Sequence, residues 1–372
     1  KELVVNQARK LGVPIIYLNM VGGQDELVFD GGSFVINGEG EILYQAQQFE
    51  EELFYIDLDL EVKEHPKQSN LEIRQKSFEL EPLQSALPLS KNESLYAALK
   101  LGLFDYVSKN NFEKVLVGLS GGIDSALTAT IAVDALGSNN VIGVALPSKY
   151  NTEESLVDAK SLAKNLDIEF KVIEIEEMVN IFRNTLSESV NEELGQTTDE
   201  NIQSRVRGNI LMALSNQTGA MVVSTGNKSE MAVGYSTLYG DLAGGFALLK
   251  DLYKTEVYNL ANFRNSISSV IPQNTIDKEP SAELRPDQFD KDSLPEYELL
   301  DDILRMYIEE DSSSEKIIST GIDENIVYDV LSKVDRNEYK RKQVAPGVKL
   351  TEKAFGKDRR MPITNTYTRE RR

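Results

Sequence analysis

Val115-Leu116-Val117-Gly118-Leu119-Ser120-Gly121-Gly122-Ile123-Asp124-Ser125 is the stretch on which the reading of this chain turns. A short apolar, β-branched run ends in a Ser-Gly-Gly turn. An Ala/Leu-rich helical pattern, Ala126 to Leu136, follows at once and stops at Gly137. The expected local structure is strand, tight polar loop, helix. Glycines let the backbone turn sharply and approach another molecule closely. The N–H groups freed in the loop and the start of the helix then face one point, which favours an anion. Ser120 and Ser125 add hydroxyl donors. Asp124 is the odd member, because a carboxylate repels phosphate unless a cation stands between them. Mg²⁺ shared by Asp124 and phosphate oxygens is the simplest resolution. An ordinary strand-to-helix turn would account for a bare Ser-Gly-Gly, but not for the strand, the full motif and the helix together.

Working outward, the period becomes helical from Glu93, with Leu95, Ala98, Leu99, Leu101, Gly102 and Tyr106 as the apolar stripe. After the central helix comes a second buried strand, Val141 to Leu146. Thr152 then caps a helix with Glu153 and Glu154 in its first turn. Phe170 to Ile175 reads as a third strand, followed by a helix through Met178, Ile181 and Phe182. Asp199 to Ser215 is another helical run, and Ala220 to Ser224 another strand. Strands alternating with helices predict an α/β fold with a doubly wound parallel sheet. Ligands then sit at the carboxyl ends of the strands, where Ser120, Pro147 and Thr225 fall. Ser224-Thr225-Gly226-Asn227-Lys228-Ser229-Glu230 repeats the strand-turn-helix logic and should open onto the same cleft. Glu230 could supply a second carboxylate for Mg²⁺ opposite Asp124. It could equally be a favourable acid in a first helical turn.

Residues 1–62 read as short strands and turns after a helical start. Pro14 to Leu18 is a buried-strand run, Asn37-Gly38-Glu39-Gly40 a hairpin turn, and Phe54 to Glu61 an alternating, half-buried strand. About 60 residues of short strands rarely hold a core alone, so this piece should belong to a larger sheet that begins earlier. The chain opens on Lys1, inside a pattern, and is expected to be part of something longer. Residues 63–90, with Pro66, Pro82 and Pro88 and no sustained period, read as a linker. The single histidine, His65, falls there and is read as solvated, so the chemistry must run without a histidine.

Composition narrows the function further. The formal net charge of −20 argues against general nucleic-acid binding, which needs a basic face. No apolar run approaches the roughly 20 residues of a membrane span. With no cysteine there is no disulfide framework, thiolate metal site or cysteine nucleophile, and a reducing cytoplasm fits. Ile271 to Ser293, rich in Pro, Asp and Glu, is long for a plain connection and reads as a lid or a disordered segment.

The loop contains no lysine and so is not of the Walker type. It resembles instead the PP-loop, Ser-Gly-Gly-x-Asp-Ser, of the ATP pyrophosphatases, which split ATP between its α and β phosphates. Leu18 to Phe34 resembles the last third of a nitrilase-like glutaminase domain, and Asn201 to Asn209, Thr225 to Glu230, Tyr239-Gly240-Asp241 and Leu249 to Lys254 resemble NAD synthetase in order and spacing. Glu279 to Pro286, Asp292 to Pro295, Lys340 to Gln343, Pro346 to Lys349 and Asp358 to Ile363 continue the match. The resemblance is to the glutamine-dependent NAD synthetases and covers essentially the whole chain. It implies residues 1–62 as the end of the glutaminase domain, 63–90 as linker and 91–372 as the synthetase domain.

By that resemblance Gly118, Leu119, Ser120, Gly121, Gly122, Ile123, Asp124 and Ser125 cradle ATP, and Thr225 and Lys254 reach it. Asp124 and Glu230 hold Mg²⁺, and Asn201, Arg205, Glu230 and Lys342 contact deamido-NAD. Asp124, Glu230 and Lys254 carry the catalysis. The implied reaction amidates deamido-NAD through an adenylated carboxylate, with ammonia drawn from glutamine in the longer protein and with a homodimer or larger homo-oligomer as the assembly. The cysteine nucleophile of the glutaminase triad is not among these residues. Two alternatives remain at this point: another amidating PP-loop ligase, such as a GMP or asparagine synthetase or a tRNA-modifying enzyme, or a nucleotide-binding module without catalysis.

Overall fold

The computed structural model describes residues 1–58 and 84–364. His65 and most of the expected linker lie outside them. The chain divides into two compact units, Lys1–Gly22 with Phe29–Ser90, and Gly23–Val28 with Lys91–Arg372.

In the first, helix α1 (Glu2–Leu11) ends at Gly12 in the left-handed conformation, φ 65°. The strands of this unit are β1 (Ile15–Tyr17), β4 (Phe34–Ile36) and β5 (Ile42–Gln45), while β2 (Val21–Gln24) and β3 (Leu27–Asp30) each fall partly in the second unit. An antiparallel sheet runs in the order β1-β4-β5. The hairpin expected at Asn37 to Gly40 joins β4 to β5. Asn37 Oδ1 accepts the N–H groups of Glu39 and Glu41 and closes the turn. Two expectations are corrected. β1 is an edge strand rather than a buried one, and Ile16 is 56% exposed. Of the strand expected over Phe54 to Glu61, residues 59–61 lie outside the described residues, and 54–58 form no strand, since nothing among the described residues pairs with their backbone. Phe54, Ile56 and Leu58 nevertheless pack on Val35, Tyr44 and Ala46, which explains their alternation.

The second unit begins with α2 (Lys91–Lys109) and then alternates: β6 (Val115–Gly118), α3 (Ile123–Leu136), β7 (Val141–Ala145), α4 (Glu153–Asn165), β8 (Glu169–Val172), α5 (Glu176–Val190), α6 (Gln196–Thr218), β9 (Met221–Ser224), α7 (Lys228–Val233) and β10 (Phe246–Ala247). All neighbouring strands are parallel, in the order β10-β9-β6-β7-β8. The period of two divides each strand between two cores. Val115, Val117, Val141, Met221 and Val223 pack with α2, α3, α4 and the later helix α8 (Lys254–Ile267). Leu116, Ile142, Val144 and Val222 pack with α5 and α6. Strand order reverses between β6 and β9, and this switch point places the loops after those two strands side by side.

The segment after α8 holds α9 (Gln273–Asp277) and then an ordered strap, so the disorder considered for Ile271 to Ser293 is not what the structure shows. Helices α10 (Tyr297–Leu304), α11 (Ser314–Ile318), α12 (Glu324–Arg336) and α13 (Glu338–Arg341) are not among the elements expected above. Their signals were present. Asp323 caps α12 through its side chain, and Val327, Val330, Leu331 and Val334 recur at helical spacing.

One buried cation ties this unit together. Lys228 Nζ, on a fully buried side chain, lies 2.9 Å from Asp251 Oδ1 and 3.0 Å from Glu309 Oε1. It donates to Thr351 Oγ1 at 2.6 Å and sits 4.8 Å above the Tyr253 ring. Asp251 Oδ2 also accepts the N–H groups of Leu350 and Thr351, at 2.7 and 2.8 Å. Removing one partner of such a pair leaves a charge stranded. Asp251→Ala should therefore cost about 3–5 kcal/mol in chemical denaturation, and a loss below about 1 kcal/mol would show the tie to be dispensable.

Candidate active site

The loop after β6 takes the form expected, with one difference. Gly122 is the N-cap of α3, and no side chain caps the helix, so its first N–H groups keep their capacity for an anion. The two serines, however, knit the loop to itself. Ser125 Oγ donates to Gly122 O at 2.9 Å and stands 3.1 Å from Ser120 Oγ, which accepts the Gly122 N–H at 3.2 Å. Gly121 has φ 84°, and a Cβ there would lie 2.3 Å from Ser155 O at the start of α4. That turn needs glycine both for its dihedral and for the close passage of α4.

The loop after β9 arrives from the other side of the switch point. Asn227 and Glu230 form a reciprocal capping box at the start of α7. Asn227 Nδ2 also donates to Asp124 Oδ1 at 2.9 Å. Lys254, the first residue of α8 and 4% exposed, completes the group. Its Nζ lies 2.5 Å from Asp124 Oδ2 and 3.3 Å from Glu230 Oε1, and 5.2 Å over the Tyr297 ring. The sequence reading answers the Asp124 charge with a divalent cation alone. The structure answers it with Lys254 and Asn227, while the carboxylate still lines the cleft. Burial holds the Glu230 carboxyl well above its ordinary range, with Asp124 and Asp290 adding to the effect and Lys254 opposing it. Burial alone would lower the Lys254 ammonium, but the Asp124 and Glu230 carboxylates override it and raise it. Asp124 and Glu230 thus converge on one cation position. Among the described residues no group of three or more acids, histidines or cysteines could hold a metal alone. Two carboxylates without a third protein ligand suit a magnesium ion whose shell phosphate oxygens complete.

A cavity of about 520 Å³ opens here. Gly118, Leu119, Ser120, Gly122, Ile123, Asp124, Ser125, Asn201, Thr225, Glu230 and Lys254 line it. Gly121 is turned toward Ser155 instead. Arg205 and Lys342 are off its wall. Ser204 faces the cavity, and one residue further along α6 rotates a side chain by about 100°. Arg205 accordingly points outward, its Nε donating to Leu238 O at 3.2 Å. Lys342 is exposed and pairs with Glu338 at 3.4 Å, whereas Lys340 lines the cavity.

Sequence reasoning assigned no role to two wall residues that the structure makes prominent. Arg207 donates from Nε to Leu146 O and from Nη2 to Asn151 Oδ1, both at 3.0 Å. Burial brings its guanidinium down to about 10 against the opposing charge of Glu283. Glu283, on the strap, accepts from Ser155 Oγ at 2.6 Å, Lys278 Nζ at 2.7 Å and Asn151 Nδ2 at 2.9 Å. It latches the strap to the start of α4, which is also the backbone that crowds Gly121. The stretch Glu279 to Pro286 carried the signal, but nothing local names its partners.

A model of the NAD synthase family matches residues 95–344, and a model of the carbon-nitrogen hydrolase family matches residues 3–65. The glutamine-dependent NAD(+) synthetase of Thermotoga maritima is 49% identical over 387 residues, covering 99% of this chain and 67% of the relative. That of Aquifex aeolicus is 50% identical over 95% of this chain and 65% of the relative. The structure of glutamine-dependent NAD+ synthetase from Acinetobacter baumannii in complex with ADP is similar with a TM-score of 0.67 and 43% identity, over 99% of this chain and 65% of that one. The chain spans about two thirds of the length of these relatives.

The Glu283 latch has a pH signature. Burial would raise this carboxyl, but its hydrogen bonds from Lys278, Ser155 and Asn151 prevail and hold it below the ordinary value of 4.5. A depressed carboxyl stabilises the fold above its unfolded value, and that stability is lost as pH falls through the folded one. Wild type should exceed Glu283→Gln in stability at pH 7, and the gap should close on acidification below pH 4.5. Thermal unfolding of both across pH measures it, and a gap that does not change with pH would exclude the latch.

Proposed function

The chain belongs to the NAD synthase family, and from that premise we propose that it amidates deamido-NAD to NAD, consuming ATP and releasing AMP and pyrophosphate. Residues 1–62 are on this reading the end of a glutaminase-type hydrolase domain, 63–90 a linker and 91–372 the synthetase domain. Glutamine is the ammonia source of the longer protein, and free ammonia serves these residues alone. The observation that carries the proposal is the convergence of Asp124, Glu230 and Lys254 beside the uncapped N–H groups of α3.

ATP binds with its phosphates on the loop Gly118 to Ser125, within reach of Thr225. Asp124 and Glu230 would hold Mg²⁺, which would supply positive charge to neutralise the phosphates. Lys254 moves between its two carboxylates and the phosphates, a compact charge suited to that exchange. The nicotinate carboxylate attacks the α phosphorus, pyrophosphate leaves against the loop amides, and ammonia displaces AMP. Positioning and charge neutralisation carry most of the rate, so a chain without a histidine at the site meets no obstacle. The strap lines the cleft and helps to keep water from the adenylated carboxyl. Asn201 contacts deamido-NAD from the wall. Arg205 and Lys342 take its outer end, as exposed cations on the segments that carry Ser204 and Lys340.

Asp124→Asn and Glu230→Gln should each lower Mg²⁺-dependent NAD formation by about a hundredfold or more, with pyrophosphate release falling in step. Undiminished turnover in both would reject the metal roles. Amidation of xanthosine monophosphate or aspartate, with deamido-NAD inert, would point to another ligase of this type.

We further propose that the assembly is a homodimer, with the exposed apolar residues of α5 as its contact face. Ile181 is 64%, Phe182 47% and Val190 53% exposed, and such a patch on one helix is a common mark of an interface. Sedimentation equilibrium should give a mass near twice 41.6 kDa, and Phe182→Glu should shift it toward the single chain. A monomeric wild type would exclude the dimer.

A further inference from the structure

Arg207 lines the same cavity, and the reaction proposed above gives it no part. Its side chain leaves α6 for the carboxyl end of β7, where Nε donates to Leu146 O and Nη2 to Asn151 Oδ1, both at 3.0 Å. Both acceptors are uncharged. Among the described residues Nη1 has no acceptor, and no carboxylate pairs with the guanidinium. The acids of the surrounding wall are taken by other cations. Glu283, whose charge acts on Arg207 through space, meets Lys278 Nζ at 2.7 Å. Glu200 meets Arg285 at 3.5 Å, and Glu279 meets Lys291. A guanidinium that burial brings down to about 10, and that holds only neutral partners, is a charge short of its counter-ion. The donors left on its fork suit a bidentate anion such as phosphate.

The position of the fork selects one phosphate. β6 and β7 are neighbours, with Gly118 beside Val144. The ladder runs one step further, the Leu119 N–H donating to Val144 O at 2.8 Å. The phosphate loop and the Leu146 segment therefore leave the sheet one strand spacing apart, ~4.8 Å. β9 flanks β6 on the other side, and there Glu230 and Asp124 hold Lys254. The loop thus has a cation on each side, Lys254 toward β9 and Arg207 toward β7. The two sides differ in polarity. Val144, Ala145, Leu146 and Leu156 give the β7 side an apolar wall, whereas Ser224, Thr225 and Glu230 make the β9 side polar. A purine ring takes the apolar side. ATP then runs from its base over β7 to its terminal phosphates beside Lys254, and the phosphate joined to the ribose lies by Arg207.

We propose that Arg207 binds the α phosphate of ATP and keeps hold of it, as AMP, through both steps of the reaction. This assignment rests on the reaction proposed above and names the residue that grips its reacting phosphate. In the first step a nicotinate carboxylate oxygen bonds to the α phosphorus. The bond to the bridging oxygen breaks, and its electron pair leaves with pyrophosphate. The non-bridging oxygens of that phosphorus carry the charge and face the fork. In the second step the lone pair of ammonia forms the C–N bond and the C–O bond to AMP breaks. AMP leaves with that electron pair, one ammonia proton goes to water, and the fork meets the charge that AMP gains. The bonds to Leu146 and Asn151 aim the fork before ATP arrives, so little reorganisation is needed. Asn151 also donates to Glu283 at 2.9 Å, which ties that aim to the latched strap.

The test uses this chain with ATP, deamido-NAD, Mg²⁺ and ammonium chloride, and compares wild type with Arg207→Gln. AMP and pyrophosphate are the probes, each as an inhibitor of NAD formation against varied ATP. The inhibition constant for AMP should rise about tenfold or more, the worth of one hydrogen bond to a charged group, while that for pyrophosphate moves less than twofold. An unchanged AMP constant overturns the assignment. So does an equal rise in both constants, which a merely structural part in shaping the loop would give. So does a rise confined to the KM for deamido-NAD, which would put Arg207 on the other substrate. If Arg207→Gln does not fold, Arg207→Lys, which keeps the charge and loses the fork, is judged by the same numbers. A wild-type chain that makes no NAD under these conditions overturns the reaction itself, and this assignment with it. A wild-type chain that does, with an unaltered AMP constant in the variant, overturns only the assignment.

Discussion

The ammonium of Lys254, held between the carboxylates of Asp124 and Glu230, is the interaction on which the site depends. It joins three elements: the loop after β6, the start of α7 after β9, and the first turn of α8. None of the three charges would be stable where it is without the others. Two acids this close would repel, and a lysine this buried would tend to give up its proton. Together they make a site that holds positive charge ready beside a row of unspent N–H groups. A phosphate arriving there meets donors and a cation already positioned, which is the arrangement electrostatic catalysis requires.

Around this centre the protein repeats one device: a charged side chain held by several partners, used to bring a distant segment back to the sheet. Lys228 does so for the chain near Thr351, through Asp251. Glu283 does so for the strap, which it fastens to Asn151 and Ser155 at the start of α4. Buried pairs of this kind add little net stability compared with apolar packing, but they punish wrong arrangements severely. In a site assembled from segments so far apart in the chain, register matters more than added stability. The strap shows the consequence. Once latched, it buries Asp290 at the cavity wall, where the residue accepts the Tyr297 hydroxyl.

Much of this was legible in the sequence. The runs beginning at Val115, Val141 to Leu146 and Ala220 to Ser224 read as strands because short apolar, valine-rich runs lie between turn signals, and each holds a parallel strand. The Thr152 cap was readable because a cap and its partner lie three residues apart, and Glu230 was read in a first helical turn, where the structure adds its capping box with Asn227. Readings failed where the answer lay at a distance. β1 is apolar enough for a buried strand, but its place in the sheet makes it an edge. Arg205 sits in a charged motif, yet the rotation of α6 turns it from the cavity and leaves Arg207 on its wall. The polar stretch Ile271 to Ser293 gave no hint that Asp290 would be buried or that Glu283 would be latched to α4.

Local order thus lay in the residues themselves: a strand, a polar glycine-containing turn and a helix, twice over, and the anion-seeking character of the first turn. These follow from interactions within a few residues, which hydrophobic period, glycine dihedrals and capping chemistry report directly. What neutralises Asp124 came from the packing of distant elements. Its partner Lys254 lies 130 residues further along the chain, and the two meet because the sheet order sets β6 beside β9 and lays α8 against α3. Charge pairing acts through space, whereas the sequence records only separation along the backbone, and the fold is what converts one into the other.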